Sequence, residues 1–308
     1  MTIARNLLLR AAESRWLADQ MARRRFAQRA VRRFMPGETL DAALTAAQAL
    51  AAHKLGSLIT QLGEGVFTAD QAAAVRDHYL DAFDQIAARK LPTAVSIKPT
   101  QLGLDQSEAE CRAHLVALAD RAQATGSVLW IDMEDSSYVD RTLGLYRAVH
   151  ARHPAAGIAI QTYLRRTPGD IEALLPLAPT IRLVKGAYSE APAVAFPSKR
   201  EVDVAFFDLG RQLLEAAARG QATPIFGTHD MVLIERLVAA ARDIGVADGG
   251  YEIHMLYGIG VDNQRSLVSH GRVVKTLISY GSAWFKWYMR RLAERPANIW
   301  FVLKSVVS

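Results

Sequence analysis

The stretch Gly157-Ile-Ala-Ile-Gln161, followed by Thr167-Pro-Gly-Asp170 and Ile181-Arg-Leu-Val-Lys185, contains one complete copy of a pattern that recurs along the chain. Its first and last segments are short, apolar and rich in β-branched residues, which is typical of buried parallel strands. The middle segment places a proline at the first position of a helix with an acid behind it. The stretch therefore predicts a strand, a helix and a second strand in succession.

The same pattern recurs along the chain. Two more helix starts, Thr68-Ala-Asp-Gln71 and Ser107-Glu-Ala-Glu110, are typical of capping boxes. Eight such repeats predict an α/β fold, a (βα)8 TIM barrel. An open doubly wound sheet is the alternative, but Gly258-Ile-Gly260 lacks the third glycine of its fingerprint and follows the seventh run. The eight runs end about 23 to 43 residues apart, the length of one βα unit, and span 57–62, 93–97, 128–132, 157–161, 181–185, 224–228, 251–256 and 273–279.

Composition narrows the class of protein. The 308 residues exceed the roughly 250 that a barrel typically uses, and no uncharged apolar stretch reaches the roughly 18 residues of a membrane span. We see no secretory signal, and Cys111, the single cysteine, leaves nothing for a disulfide or a thiolate metal cluster. We therefore expect a cytoplasmic protein, with a peripheral contact at the inner face of the cell membrane as an open alternative.

The net charge of +6 belongs to one segment. Residues 1–34 hold nine Arg against Glu13 and Asp19, a local charge of +7, so the remaining residues sum to −1. Apolar residues recur there at helical spacing up to a break near Met35-Pro36-Gly37, and an Ala-rich helix is predicted at 40–55. We expect an N-terminal basic helical arm and a helix packing on the barrel (1–55), followed by the catalytic barrel (56–308). A membrane-surface contact and a nucleic-acid or targeting arm are the alternatives.

Function in a barrel lies at the C-terminal ends of the strands, and here those ends are unusually polar. A metal site built on Asp132, Glu134, His229 and His254 is one hypothesis, weakened because no two ligands share a strand at metal spacing. A Schiff-base lyase acting on a small carboxylate through Lys98 or Lys185 is another. A non-enzymatic nucleic-acid binder working through the Arg-rich arm is a third, and it leaves the polar ends unexplained.

The segment Trp287-Tyr-Met-Arg290-Arg291-Leu-Ala-Glu294-Arg295-Pro296 places two adjacent arginines on a short predicted helix. Two guanidinium groups can hold one small carboxylate or phosphate between them. The alternative is a solvated pair that interacts only with the C-terminal dipole of the helix. A barrel beneath this helix favours the anion site.

Five segments together resemble the flavin-dependent proline dehydrogenase family in its monofunctional bacterial form. The resemblance extends from about Leu55 to the C-terminus, and the Ile181 segment is the most distinctive. The segments are Ser96-Ile-Lys98-Pro, Trp130-Ile-Asp132-Met-Glu134, Ile181-Arg182-Leu-Val-Lys185-Gly-Ala-Tyr188, Gly227-Thr228-His229-Asp230 and Tyr288-Met-Arg290-Arg291-Leu-Ala-Glu294-Arg295-Pro296.

The resemblance implies a distorted barrel that holds FAD across the strand ends, oxidises L-proline to 1-pyrroline-5-carboxylate and passes electrons to a membrane quinone. It implies that Asp132 and Arg182 are catalytic and that Glu64 is a gate that pairs with Arg291. The implied proline contacts are Lys98, Tyr188, Leu256, Arg290 and Arg291. The implied flavin contacts are Met133, Gln161, Arg182, Lys185, Gly186, Ala187, Thr228, His229 and Glu294.

Two positions depart from the family pattern. His254 stands where relatives have Gln, and Leu277 stands where relatives often have a Tyr that contacts the substrate. Leucine cannot donate a hydrogen bond, so the alignment predicts weaker discrimination against hydroxyproline and other ring-substituted analogues.

Overall fold

Eight parallel strands form a closed barrel in chain order, which confirms the predicted fold. The computed structural model describes residue 31 and residues 33–63 and 66–285. The barrel closes where β1 pairs with β8, from Gly56 opposite Lys275 to Gln61 opposite Tyr280. The strands are β1 (Gly56–Gln61), β2 (Thr93–Ile97), β3 (Leu129–Ile131), β4 (Gly157–Gln161), β5 (Thr180–Val184), β6 (Thr223–Gly227), β7 (Glu252–Leu256) and β8 (Val274–Tyr280). Each lies within one residue of a predicted run.

Helices connect the strands on the outside. Before β1, α1 (Leu40–Ala51) packs against β1 and β8. It ends earlier than predicted because the chain turns at Lys54, where φ is +59°. The others are α2 (Ala69–Ala88), α3 (Glu108–Ala124), α4 (Val139–His150), α5 (Thr167–Glu172), α6 (Lys199–Ala218), α7 (Met231–Ile244) and α8 (Val261–Ser269).

The predicted starts of α2, α3 and α5 are present, although α5 begins at Thr167, so Pro168 is its second residue. Thr68 and Gln71 form the full reciprocal capping box of α2. The hydroxyl of Ser107 accepts a hydrogen bond from Glu110 N at 3.3 Å and so caps α3. These side chains satisfy backbone N–H groups that have no partner inside the first helical turn.

Side chains alternate along each strand, so one set packs against the outer helices and the other fills the interior of the barrel. Side chains such as Ile59, Val95 and Ile131 face the helices and join the large apolar cluster. The opposite faces point into the barrel, where Leu58, Ala94, Trp130 and Ile225 form a small cluster on which the half-buried Leu277 packs. This apolar cluster ends before the C-terminal ends of the strands, and the polar site lies at those ends.

Candidate functional site

Asp132 and Arg182 lie in contact inside the barrel. Nη2 of Arg182 donates to Oδ1 of Asp132 and, at 2.9 Å, to Oγ of Ser96. Ser96 in turn donates to Oδ1 of Asp132 at 2.9 Å. Burial lowers the pKa of Arg182 and Asp132 opposes the shift, but an arginine stays charged at neutral pH. The result is a buried, oriented cation whose Nη1 has no hydrogen-bond partner among the described residues.

Trp130 stacks on that cation. The guanidinium carbon of Arg182 lies 4.9 Å from the Trp130 ring centroid, within the range of a cation–π contact. Gly157 makes room for the indole, since a Cβ at that position would lie 2.6 Å from the ring. Arg182 is therefore fixed by an aromatic face in addition to Asp132 and Ser96.

A second charged group lies in the barrel at the start of β7 and β8. Glu252 accepts from Lys275 Nζ at 2.8 Å and bonds His254 Nε2 at 2.9 Å, and the His254 ring lies 5.3 Å from Trp130. Burial lowers the pKa of His254 to about 4, while His254 and Lys275 outweigh burial and lower that of Glu252 to about 2. His254 is thus a neutral, hydrogen-bonded interior residue at neutral pH.

The residues of the metal hypothesis do not converge. Within the described ranges, no group of three or more His, Cys, Asp or Glu side chains is arranged to hold a metal ion. Glu134 instead accepts from N and Oγ1 of Thr100, at 3.1 and 2.8 Å, and burial raises its pKa. Asp135 caps the short helix Ser136–Tyr138 through a 3.0 Å bond from Ser137 N.

Lys185 follows β5 and points to two carboxylates. Its Nζ lies 2.5 Å from Asp203 and 3.0 Å from Asp230, and Lys199 of α6 contacts the same two acids. With those lysines beside them, both carboxyls have a pKa below the ordinary value although burial opposes the shift. This is the arrangement of an ion-pairing lysine at the strand end, and it argues against a desolvated Schiff-base nucleophile.

Gly186 has a backbone conformation and a close neighbour that favour glycine. Its φ is +106°, and a Cβ there would lie 2.2 Å from the Tyr163 ring, so no other residue fits without rearrangement. Gln161, at the end of β4, is buried and its Oε1 has no partner within the described part of the chain. Met133 is buried and Ala187 is exposed.

Two predicted flavin residues after β6 are tied to their neighbours. Nε2 of His229 accepts from Leu256 N at 2.9 Å, which joins the ends of β6 and β7 and leaves the ring proton on Nδ1. Oγ1 of Thr228 accepts from Asp230 N at 3.1 Å, and Asp230 caps α7. Lys98, Tyr188 and Leu256 are half-buried.

Four predicted site residues lie outside the described residues: Glu64, Arg290, Arg291 and Glu294. Residues 1–30 and residue 32 of the arm also lie outside them. Four residues were not predicted to belong to the site: Ser96, Trp130, Asp203 and Asp230. Three of them stand inside the quoted family segments, and that position is the sequence signal that marks them. Asp203 offered no signal beyond its place near the start of a charged helix.

The fold and this cluster define an enzyme of the (βα)8-barrel class, with its site at the C-terminal ends of the strands. The proline dehydrogenase family model matches residues 43–304. "Proline dehydrogenase 1" of Bacillus subtilis subsp. natto is 37% identical over 277 residues, covering 90% of each chain. "Proline dehydrogenase" of Deinococcus radiodurans is 32% identical over 308 residues, covering 98% of this chain and 97% of that protein. The chain belongs to the proline dehydrogenase family and is an oxidoreductase.

Solved structures agree on the fold. Proline utilization A from Bdellovibrio bacteriovorus superposes with a TM-score of 0.79 at 22% identity. The match covers 86% of this chain but only 32% of that one, so this chain spans about a third of its length. Among the described helices, none has the length and apolarity needed to cross a lipid bilayer.

Proposed function

We propose that the chain oxidises L-proline to 1-pyrroline-5-carboxylate with bound FAD as hydride acceptor, and that the electrons then pass to a membrane quinone. The observation that carries the proposal is the buried Arg182, held by Asp132, Ser96 and Trp130 with Nη1 unoccupied by any described residue. A fixed cation in a low-dielectric site stabilises negative charge as it develops. Membership of the family supports the same reaction.

The residues present fit a flavin dinucleotide. Oε1 of Gln161 and Nη1 of Arg182 are buried polar atoms without partners among the described residues, as expected where a polar ligand completes the site. Gly186 lets the backbone approach a phosphate closely, and Lys185 beside it supplies positive charge. Met133, Ala187, Thr228 and His229 lie on the same strand ends, and Glu294 completes the proposed set. When bound, FAD supplies a two-electron acceptor.

The proposed substrate contacts come from the resemblance to the family, and their chemistry suits proline. Proline oxidation removes a hydride from a ring carbon and a proton from the ring nitrogen, which leaves a C=N bond. Lys98, with Arg290 and Arg291, would pair the carboxylate, because a buried carboxylate is costly unless fully paired. Tyr188 and Leu256 would pack on the ring beside Asp132. Glu64 would close the site over substrate and exclude water.

Delivery to a quinone places the protein at a membrane for part of its cycle. We propose a cytoplasmic protein that makes a peripheral contact at the inner face of the membrane. Residues 1–34 carry a charge of +7, and anionic lipid headgroups attract basic segments of this kind.

The test is a visible absorption spectrum of the purified protein, recorded before and after adding L-proline without oxygen. Flavin bands that bleach with proline support the cofactor and the substrate together. Bands that persist would keep the cofactor and reject the substrate. A colourless protein that also fails to bind added FAD would reject the proposal.

A further inference from the structure

Two glutamates join the loops after β2, β3 and β5 by the same arrangement. Glu134, in the β3 loop, accepts from N and Oγ1 of Thr100 in the β2 loop, at 3.1 and 2.8 Å. Glu190, in the β5 loop, accepts from N and Oγ of Ser136 in the β3 loop, both at 2.8 Å. We name these pairs the first and second latches. In each, one carboxylate binds both donors of a single residue, which fixes distance and orientation together.

Three of the latch residues lie two positions after a proposed substrate residue in the sequence. Lys98 precedes Thr100 by two positions, Asp132 precedes Glu134 by two, and Tyr188 precedes Glu190 by two. A displacement of a latch residue is transmitted to its neighbour through only two peptide units. Lys98, Asp132 and Tyr188 therefore each lie close in the chain to one of these bonds.

The second latch joins the β3 and β5 loops, which the backbone hydrogen bonds of the sheet do not connect. In the barrel, β4 lies between β3 and β5. Neighbouring strands are about 4.8 Å apart, so the two loops emerge from strands about twice that distance apart. Ladder hydrogen bonds end with the strands and do not join these loops. Glu190 and Ser136 join them across the end of β4, where Gln161 lies.

We propose that Glu190, through Ser136, is a positioning residue for the substrate site: it holds the β5 loop against the β3 loop and so sets Tyr188 against Asp132. Glu134 does the same between the β2 and β3 loops for Lys98. The proposal rests on the proposed function, since it assumes that these three residues contact the substrate. Glu190 needs no contact with the substrate itself, and its effect is on how well the site is prearranged.

The experiment compares Glu190→Ala, Ser136→Ala and the double variant with Glu235→Ala, an exposed glutamate on the outer helix α7 that serves as control. Steady-state kinetics with a dye acceptor should show a KM for proline raised about tenfold by Glu190→Ala with a smaller change in kcat, a size expected from a small misplacement of binding groups. The double variant should be no worse than Glu190→Ala alone, because both substitutions break one coupled contact. Glu235→Ala should match the wild type.

Glu190→Gln retains one acceptor oxygen and should fall between the wild type and Glu190→Ala, which keeps the test usable if the alanine variant folds poorly. A lower melting temperature with unchanged KM, or additive effects in the double variant, would overturn the positioning role.

A second readout needs no turnover. Hydrogen exchange at the Ser136 amide, which donates to Glu190, should accelerate in Glu190→Ala, together with exchange in the β5 loop. Unchanged exchange at Ser136 would overturn the latch whatever the kinetics show. A wild-type enzyme that does not oxidise proline would instead reject the proposed function, and the exchange result would stand apart from it.

Discussion

Asp132 and Arg182 form an ion pair inside the barrel although β4 lies between their strands. Arg182 is 4% exposed, so Asp132 supplies the compensation that water would give to an exposed charge. Removing one member of a buried pair leaves an uncompensated charge and typically costs about 3–5 kcal/mol. We expect Asp132→Ala to lower the free energy of unfolding by about 3 kcal/mol and to reduce kcat/KM.

Asp132→Asn is the matched control, because it keeps the shape and an acceptor oxygen for Ser96 and Arg182. It also removes the charge, so its loss of stability should be smaller than that of Asp132→Ala only by the contribution of the retained hydrogen bonds, about 1 kcal/mol. Urea unfolding of the three proteins gives the comparison. Equal stability of Asp132→Ala and the wild type would show that Arg182 is satisfied by other groups.

Lys185 is expected to bind the cofactor more strongly than its neighbour Lys199, although both contact Asp203 and Asp230. The Lys199 side chain is 76% exposed, whereas that of Lys185 is 25% exposed and follows β5 directly. A charged hydrogen bond contributes about 1.5–3 kcal/mol, so Lys185→Met should raise the Kd of FAD by about tenfold or more. Titration of the stripped protein with FAD measures it. A comparable rise in Lys199→Met would contradict the distinction.

Gly186 should not tolerate a side chain. Its φ of +106° is strained for an alanine, and the added Cβ would meet Tyr163 at 2.2 Å. We expect Gly186→Ala to cost about 1–3 kcal/mol and to reduce the flavin retained on purification. Gly169→Ala is the control, because nothing lies within 4 Å of its Cβ position and the residue is helical. Its melting temperature should be equal or slightly higher, and equal loss in both variants would refute the argument.

The strands could be predicted because each is a short apolar run bounded by Gly, Pro or Thr, and this information is local. The partners inside the barrel could not. Ser96 and Arg182 are 86 positions apart, and their contact depends on the register of four strands. Asp203 has only the pattern of a surface acid on α6, and its role depends on where β5 places Lys185. The residue types in the sequence were therefore enough to locate the polar ends of the strands. The contacts between those residues depend on how the barrel closes.

The interior pair of Glu252 and His254 predicts acid sensitivity. The pKa of His254 falls from an ordinary 6.5 to about 4 on folding. As pH falls through this window the unfolded chain takes up a proton that the folded protein does not, so stability decreases. The pKa of Glu252 falls from 4.5 to about 2, so its stabilising contribution is present above pH 4.5 and is lost as pH falls towards 2. Both groups therefore make stability fall on acidification, His254 first and Glu252 at lower pH.

His254→Gln isolates the upper part of this dependence, because glutamine can still donate to Glu252 but does not titrate. We expect the melting temperature of the wild type to fall between pH 6.5 and pH 4, and that of the variant to fall less over the same interval. His53→Gln is the control, since His53 is exposed, and its profile should follow the wild type. Calorimetry at a series of pH values measures all three. Parallel profiles for the wild type and His254→Gln would mean that another group governs acid stability in this range.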